Sequence, residues 1–127
     1  MTTDRRRGRI SIDERWDRVF EALSARPRRR VVSALVDVPD ERRVLLPDAI
    51  QPATLDRDRE RLRVELRHRH LPMLADAGYV RWDEKRLTVQ CGPEFAEVGA
   101  VWERLVDSTD QLPPELVDGC PVLEGTF

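Results

Sequence analysis

The amino-acid sequence predicts a mainly α-helical domain carrying one small β-hairpin, and three observations support that expectation. Apolar residues recur at i, i+3, i+4 and i+7 in several stretches, which is the stripe of amphipathic helices. From Tyr79 to Gln90 the period drops to two, as a half-buried hairpin requires. The chain has 127 residues, 36% charged and 6% aromatic, enough for one domain with a modest core.

The elements follow in order. Residues 1–12 read as a basic arm, with Arg5, Arg6, Arg7 and Arg9 around Gly8. In DERWDRVFEALS, Trp16, Val19, Phe20 and Leu23 share one stripe, and Asp13 is a plausible N-cap. Pro27 suits the first turn of a second helix. Its start carries Arg28, Arg29 and Arg30, its inner side Val31, Val32, Leu35 and Val36, and Pro39 with Asp40 ends it. Arg42 to Leu46 is a short β-prone run, and PDAI from Pro47 reads as one helical turn.

A strongly charged helix begins at Asp56. Leu62, Leu66, Met73 and Ala77 recur along it at helical spacing, with His70 and Leu74 beside them. Pro72 forfeits a backbone bond inside this stretch, so the helix either kinks or ends near His70 and resumes for MLADAG. Gly78 is a natural C′ residue. In the hairpin, Val80, Trp82, Leu87 and Val89 alternate with polar neighbours, although the turn lacks the favoured Asn-Gly or Asp-Gly. Pro93 opens a last helix with Phe95, Val98, Trp102 and Leu105 inward, widened by Val101 and Val106. The domain thus spans 13–109. The acidic stretch 110–127, which holds Pro113 and Pro114, is expected to be irregular.

The two histidines raise the question of a metal. At about 100° per residue, His68 and His70 point about 160° apart on a regular helix, so one ion cannot be held by both. His70 falls on the apolar side and reads as a core histidine hydrogen-bonded to backbone, while His68 lies on the polar side. Cys91 and Cys120 fit no zinc spacing and no disulfide framework. No metal and no cofactor is expected. Cys91, between hairpin and last helix, is a candidate redox-sensitive point.

Lys85 is the single lysine among 22 basic residues, a bias that a GC-rich genome or a saline cytoplasm would each produce. The net charge of −2 conceals an asymmetry. Residues 1–90 hold 21 basic against 16 acidic side chains, a net of +5; residues 91–127 hold 1 against 8, a net of −7. An anionic partner on the first part is therefore compatible with an acidic whole. No apolar run approaches the roughly 20 residues that span a bilayer, and no apolar h-region follows the basic start, so a cytoplasmic protein is expected. G-x-S-x-G, a phosphate loop and H-E-x-x-H are all lacking, and an enzyme is not expected.

The order helix, helix, short strand, helical turn, long helix, hairpin, helix resembles the winged helix-turn-helix of ArsR-type transcriptional regulators. Three stretches carry the likeness: LSARPRRRVVSALVD (Leu23–Asp37), HLPMLADAGYVRWD (His70–Asp83) and RLTVQCGPEF (Arg86–Phe95). The HLP-x-L-x-DAG form is similar to one in small haloarchaeal winged-helix proteins. The likeness covers roughly residues 14–106. The chain departs from the family in a second motif helix shrunk to LPDAI, in the charged insertion Gln51–Arg61, and in lacking a Cys- or His-rich sensor site.

The resemblance implies a dimeric regulator bound to double-stranded DNA. The long helix would offer Arg61, Arg63, His68 and Arg69, the wing Arg81, Lys85 and Arg86, and the arm Arg5, Arg6, Arg7 and Arg9. The first and last helices would form a two-fold interface through Trp16, Phe20, Phe95, Val98, Trp102 and Leu105. Residues 56–70 net only +2, however, and alternating charge is also the mark of a solvated, ion-paired face. A winged-helix module that binds protein rather than DNA is the alternative.

Overall fold

The computed structural model describes residues 10–50 and 56–118. Helices α1 (Ile12–Leu23) and α2 (Arg26–Val36) lead into strand β1 (Val44–Leu45). A long helical run follows, composed of α3 (Asp56–Glu65), a π-helical turn (Leu66–His70) and α4 (Leu71–Asp76). Strands β2 (Val80–Asp83) and β3 (Thr88–Cys91) precede α5 (Phe95–Asp107). A 3₁₀ turn (Thr109–Gln111) and a short α6 (Pro114–Asp118) complete the described chain. This is the mainly α-helical layout of a winged-helix-like fold, with a small antiparallel sheet ordered β1-β3-β2.

Local chemistry explains the boundaries. The N-cap of α1 is Ser11 rather than Asp13: its hydroxyl accepts the Glu14 N–H at 3.1 Å, and the Glu14 carboxylate accepts the Ser11 N–H at 3.1 Å. That reciprocal pair is a capping box, which Ser-x-x-Glu encodes directly. At the other end of the long helical run, the Tyr79 N–H reaches Leu74 O (3.0 Å) and the Gly78 N–H reaches Ala75 O (2.9 Å). This Schellman closure needs the left-handed φ of +81° that Gly78 supplies.

The run neither breaks at Pro72 nor stays regular there. Glu65, His70 and Leu71 keep right-handed helical dihedrals, and the Leu71 N–H bonds back five residues to Leu66 O. A π turn inserts one residue into the helical repeat, which accommodates the ring of Pro72 and shifts every later side chain by about one position. Periodicity carried straight from Leu66 points Met73 inward. Instead Leu71 and Leu74 are fully buried, and Met73 is only partly covered.

The hairpin forms as the alternation predicts, with Val80 opposite Cys91 and Trp82 opposite Val89. Its turn works without Asn-Gly. The Asp83 carboxylate accepts the N–H groups of Lys85 (2.9 Å) and Arg86 (3.2 Å), and Leu87 takes the left-handed φ of 55°. Leu87 is buried, and that burial outweighs the roughly 1–2 kcal/mol cost of the conformation. β1 adds a third strand, with Val44 opposite Val89.

The core lies where α2, the long helical run, the sheet and α5 meet, around Val31, Val32, Leu35, Leu66, Leu71, Leu74, Val89 and Val98. The stretch 110–127, expected to be an irregular tail, is described only as far as Asp118, and that part holds α6; residues 119–127 lie outside the described residues. Pro114 begins α6, a place where the missing N–H of proline costs nothing. Among the described residues no helix is long and apolar enough to cross a membrane.

Candidate nucleic-acid interface

The long helical run turns one stripe to solvent. Leu62, Leu66 and His70 are buried, so Arg57, Arg61, Val64, His68 and Arg69 face outward. Arg61, His68 and Arg69 are thus presented on one helical side, as the polar stripe requires. Arg63 sits lower on the flank, half-buried, and donates to Glu60 at 3.1 Å. Arg59 is committed to Asp48. Interleaved carboxylates therefore do engage part of this face.

The hairpin is fastened to that helix. Arg67 Nε donates to Glu84 O in the turn at 3.1 Å, which sets the tip carrying Lys85 and Arg86 beside the helix. Arg81, Lys85 and Arg86 are exposed. Both acids of the turn have local employment. The Asp83 carboxyl is held below its ordinary pKa, chiefly by the backbone N–H of Arg86, and Glu84 lends its carbonyl to Arg67. Arg5, Arg6, Arg7 and Arg9 lie outside the described residues.

Two residues of this surface are not among those expected to contact DNA. Val64 is exposed at the middle of the stripe, between Arg61 and His68, and Arg57 extends the stripe by one turn. The spacing 57, 61, 64, 68 is the same period that located the buried face, so the signal was present in the sequence.

The three arginines that open α2 do something other than reach outward. Arg28 is 5% exposed. Its guanidinium donates to Ala22 O (Nε, 3.2 Å), to Glu21 O and Ser24 Oγ (Nη2, 2.9 and 3.0 Å), and to His70 Nδ1 (Nη1, 2.9 Å). Arg29 donates to Leu23 O at 2.7 Å and Arg30 to Ile50 O at 3.3 Å. α1 has no basic residue in its own last turn, and Arg28 and Arg29 supply the cations its carbonyls attract.

His70 is buried as expected, but its partner is a side chain rather than the backbone. Because Arg28 can only donate, Nδ1 accepts and the imidazole is neutral with its proton on Nε2. Burial, with Arg28 and Arg69 nearby, lowers its pKa to about 4.

The expected dimer residues divide. Trp16 and Phe20 are 48% and 61% exposed and stack at 5.6 Å between centroids. Ile12 is exposed on the same helix. A groove of about 210 Å³ runs beside them, bounded by Val19 and Val101. Phe95 and Leu105 are partly buried against the core. Val98 and Trp102 are corrections: at 0% and 3% exposure they belong to the core of this chain and offer no surface to a partner. Their inward turn follows from α5 packing on α2, which takes the centre of its wide apolar stripe.

Cys91 is buried, its Sγ 4.0 Å from Leu35 O, and burial pushes its thiol pKa up. A buried thiol with a raised pKa is an inert one, which argues against a redox role. Among the described residues no group of three or more His, Cys, Asp or Glu is placed to hold a metal.

No curated protein and no solved structure matches the chain. A family model described as a domain of unknown function, DUF7344, matches residues 20–90, the stretch running from α1 through α2, the long helical run and most of the hairpin. That match spans more than half of the 127 residues, and the chain belongs to the DUF7344 family.

Proposed function

We propose that this protein is a cytoplasmic, DNA-binding transcriptional regulator of winged-helix type, related to the ArsR-type regulators it resembles, and that it acts as a homodimer. One observation supports this reading above the others. A single helical stripe bearing Arg57, Arg61, His68 and Arg69 is exposed, and the Arg67–Glu84 bond holds the basic hairpin tip against the same helix. Arginine donors on a helix suit phosphates and base edges in a major groove, and an apolar Val64 among them suits a thymine methyl. Homodimerisation is supported by the exposed Ile12, Trp16 and Phe20 on α1, an apolar face that a second copy of α1 complements about a two-fold axis.

The test is fluorescence anisotropy with a labelled duplex from the chain's own upstream region, over a salt series. Binding should weaken steeply with salt. Arg61→Ala and Arg69→Ala should each reduce the log–log slope by about 0.9, the loss expected for one phosphate contact. Arg63→Ala should do less, because Glu60 already engages that guanidinium. If no binding occurs at low salt, the DNA reading fails and the protein-binding winged-helix module takes its place.

A further inference from the structure

Away from the exposed stripe of the long helical run, a polar cavity of about 320 Å³ lies between α1, the end of α4 and the start of α5. Its volume lies at the lower end of the range found for clefts that hold small molecules. Ile10 and Ala77 supply its apolar part, and Arg15, Arg18, Glu94 and Glu97 its charge. Two of those charges are spent on each other, since Arg15 Nε donates to Glu97 Oε2 at 2.9 Å. Arg18 and Glu94 form no ion pair among the described residues, which leaves one cation and one anion of the lining unspent.

Tyr79 also lines this cavity, and it is the unusual member. It is 1% exposed, and its hydroxyl has no hydrogen-bond partner among the described residues. A buried hydroxyl left unpaired is costly, and native structures seldom tolerate one without a reason. The charges that bear on the phenol are those of Glu97, Arg18, Arg15 and Glu94, the cavity's own lining. Burial first, and then Glu97, push its pKa up to about 12, so the group is a neutral donor throughout the physiological range.

We propose that this cavity binds a small zwitterion of the free amino acid class, with the carboxylate received by Arg18 and the Tyr79 hydroxyl and the ammonium by Glu94. The arrangement gives each end of such a molecule its complement and provides the buried hydroxyl with the acceptor it lacks. None of these residues belongs to the stripe on the long helix, so the inference stands whether or not the chain binds DNA.

The experiment is isothermal titration calorimetry of the full chain with each standard free L-amino acid at millimolar concentration. Each compound that binds is then compared with its carboxamide and its desamino analogue. At least one amino acid should bind saturably, and both analogues should bind more weakly. Tyr79→Phe keeps the ring and its packing, Arg18→Gln alters only an exposed side chain, and each should weaken binding by about tenfold or more. Absence of saturable heat with every amino acid overturns the proposal, as does an affinity unchanged in either variant.

Discussion

The Arg28 guanidinium lies 2.9 Å from the Nδ1 of His70, with both side chains buried, and this contact joins α2 to the π turn across 42 residues of sequence. The same guanidinium closes the C-terminal carbonyls of α1. One side chain thus ties together the first helix, the second helix and the middle of the long helical run. The charge is tolerable there because its donors meet oxygen or nitrogen acceptors.

The first prediction concerns pH. His70 titrates at about 4 in the folded chain against 6.5 in the unfolded one, chiefly because burial disfavours its cation. The unfolded state therefore takes up the proton first. Stability attributable to this group is complete above pH 6.5, declines as pH falls toward 4, and changes no further below that. The whole decline is on the order of 3 kcal/mol. Urea midpoints measured at intervals from pH 7 to pH 4 should fall in the native chain. In His70→Gln, which keeps an acceptor but cannot titrate, the slope should be visibly flatter.

Loss of Arg28 should be among the most damaging single changes. Arg28→Met strands two helix carbonyls and the His70 nitrogen in the interior, at an expected cost of about 3–5 kcal/mol. Arg28→Lys should recover little, because an ammonium cannot span acceptors arranged for a planar fork. Equilibrium urea unfolding of the two variants decides it; a lysine variant as stable as the native chain would show that charge, not geometry, matters.

Two glycines should differ sharply in what they tolerate. A Cβ on Gly92 would lie 2.5 Å from Gly78 O and 2.8 Å from Val80 N, backbone atoms at the junction of helix and hairpin that cannot yield. Gly92→Ala should cost roughly 3 kcal/mol or more, as overpacking against fixed atoms does. A Cβ on Gly99 would meet the ring edge of Phe95, a side chain able to swing. There alanine gains about 1 kcal/mol of helix propensity, and Gly99→Ala should be near neutral. Thermal unfolding of both variants makes the comparison.

Assembly is tested by the stacked pair on α1. Trp16 and Phe20 are exposed in the single chain, so replacing both with serine should leave its folding stability within about 1 kcal/mol of the original. Light scattering coupled to size exclusion should then report a dimer for the native chain and a monomer for Trp16→Ser/Phe20→Ser. A native chain that elutes as a monomer at high micromolar concentration removes the dimer.

The sequence by itself determined the class and order of the elements as far as α5, because periods of 3.6 and 2 follow from backbone geometry alone. It also held the capping box at Ser11 and Glu14, the Schellman glycine at Gly78, and the burial of His70. Only the tertiary structure decided the rest. Pro72 announces a disturbance, but whether the helix breaks, kinks or widens depends on what lies beneath it. The π turn keeps Leu71 and Leu74 in the core at the expense of Met73. Arg28, which reads from sequence as a surface cation at a helix start, is drawn inside because the carbonyls of α1 and the imidazole of His70 converge on it from elements distant along the chain. Val98 and Trp102 went inward for the same reason, since α5 carries more apolar surface than one contact uses. Pattern assigns a residue to a side of its helix, and the neighbours that arrive from elsewhere in the chain settle what that side touches.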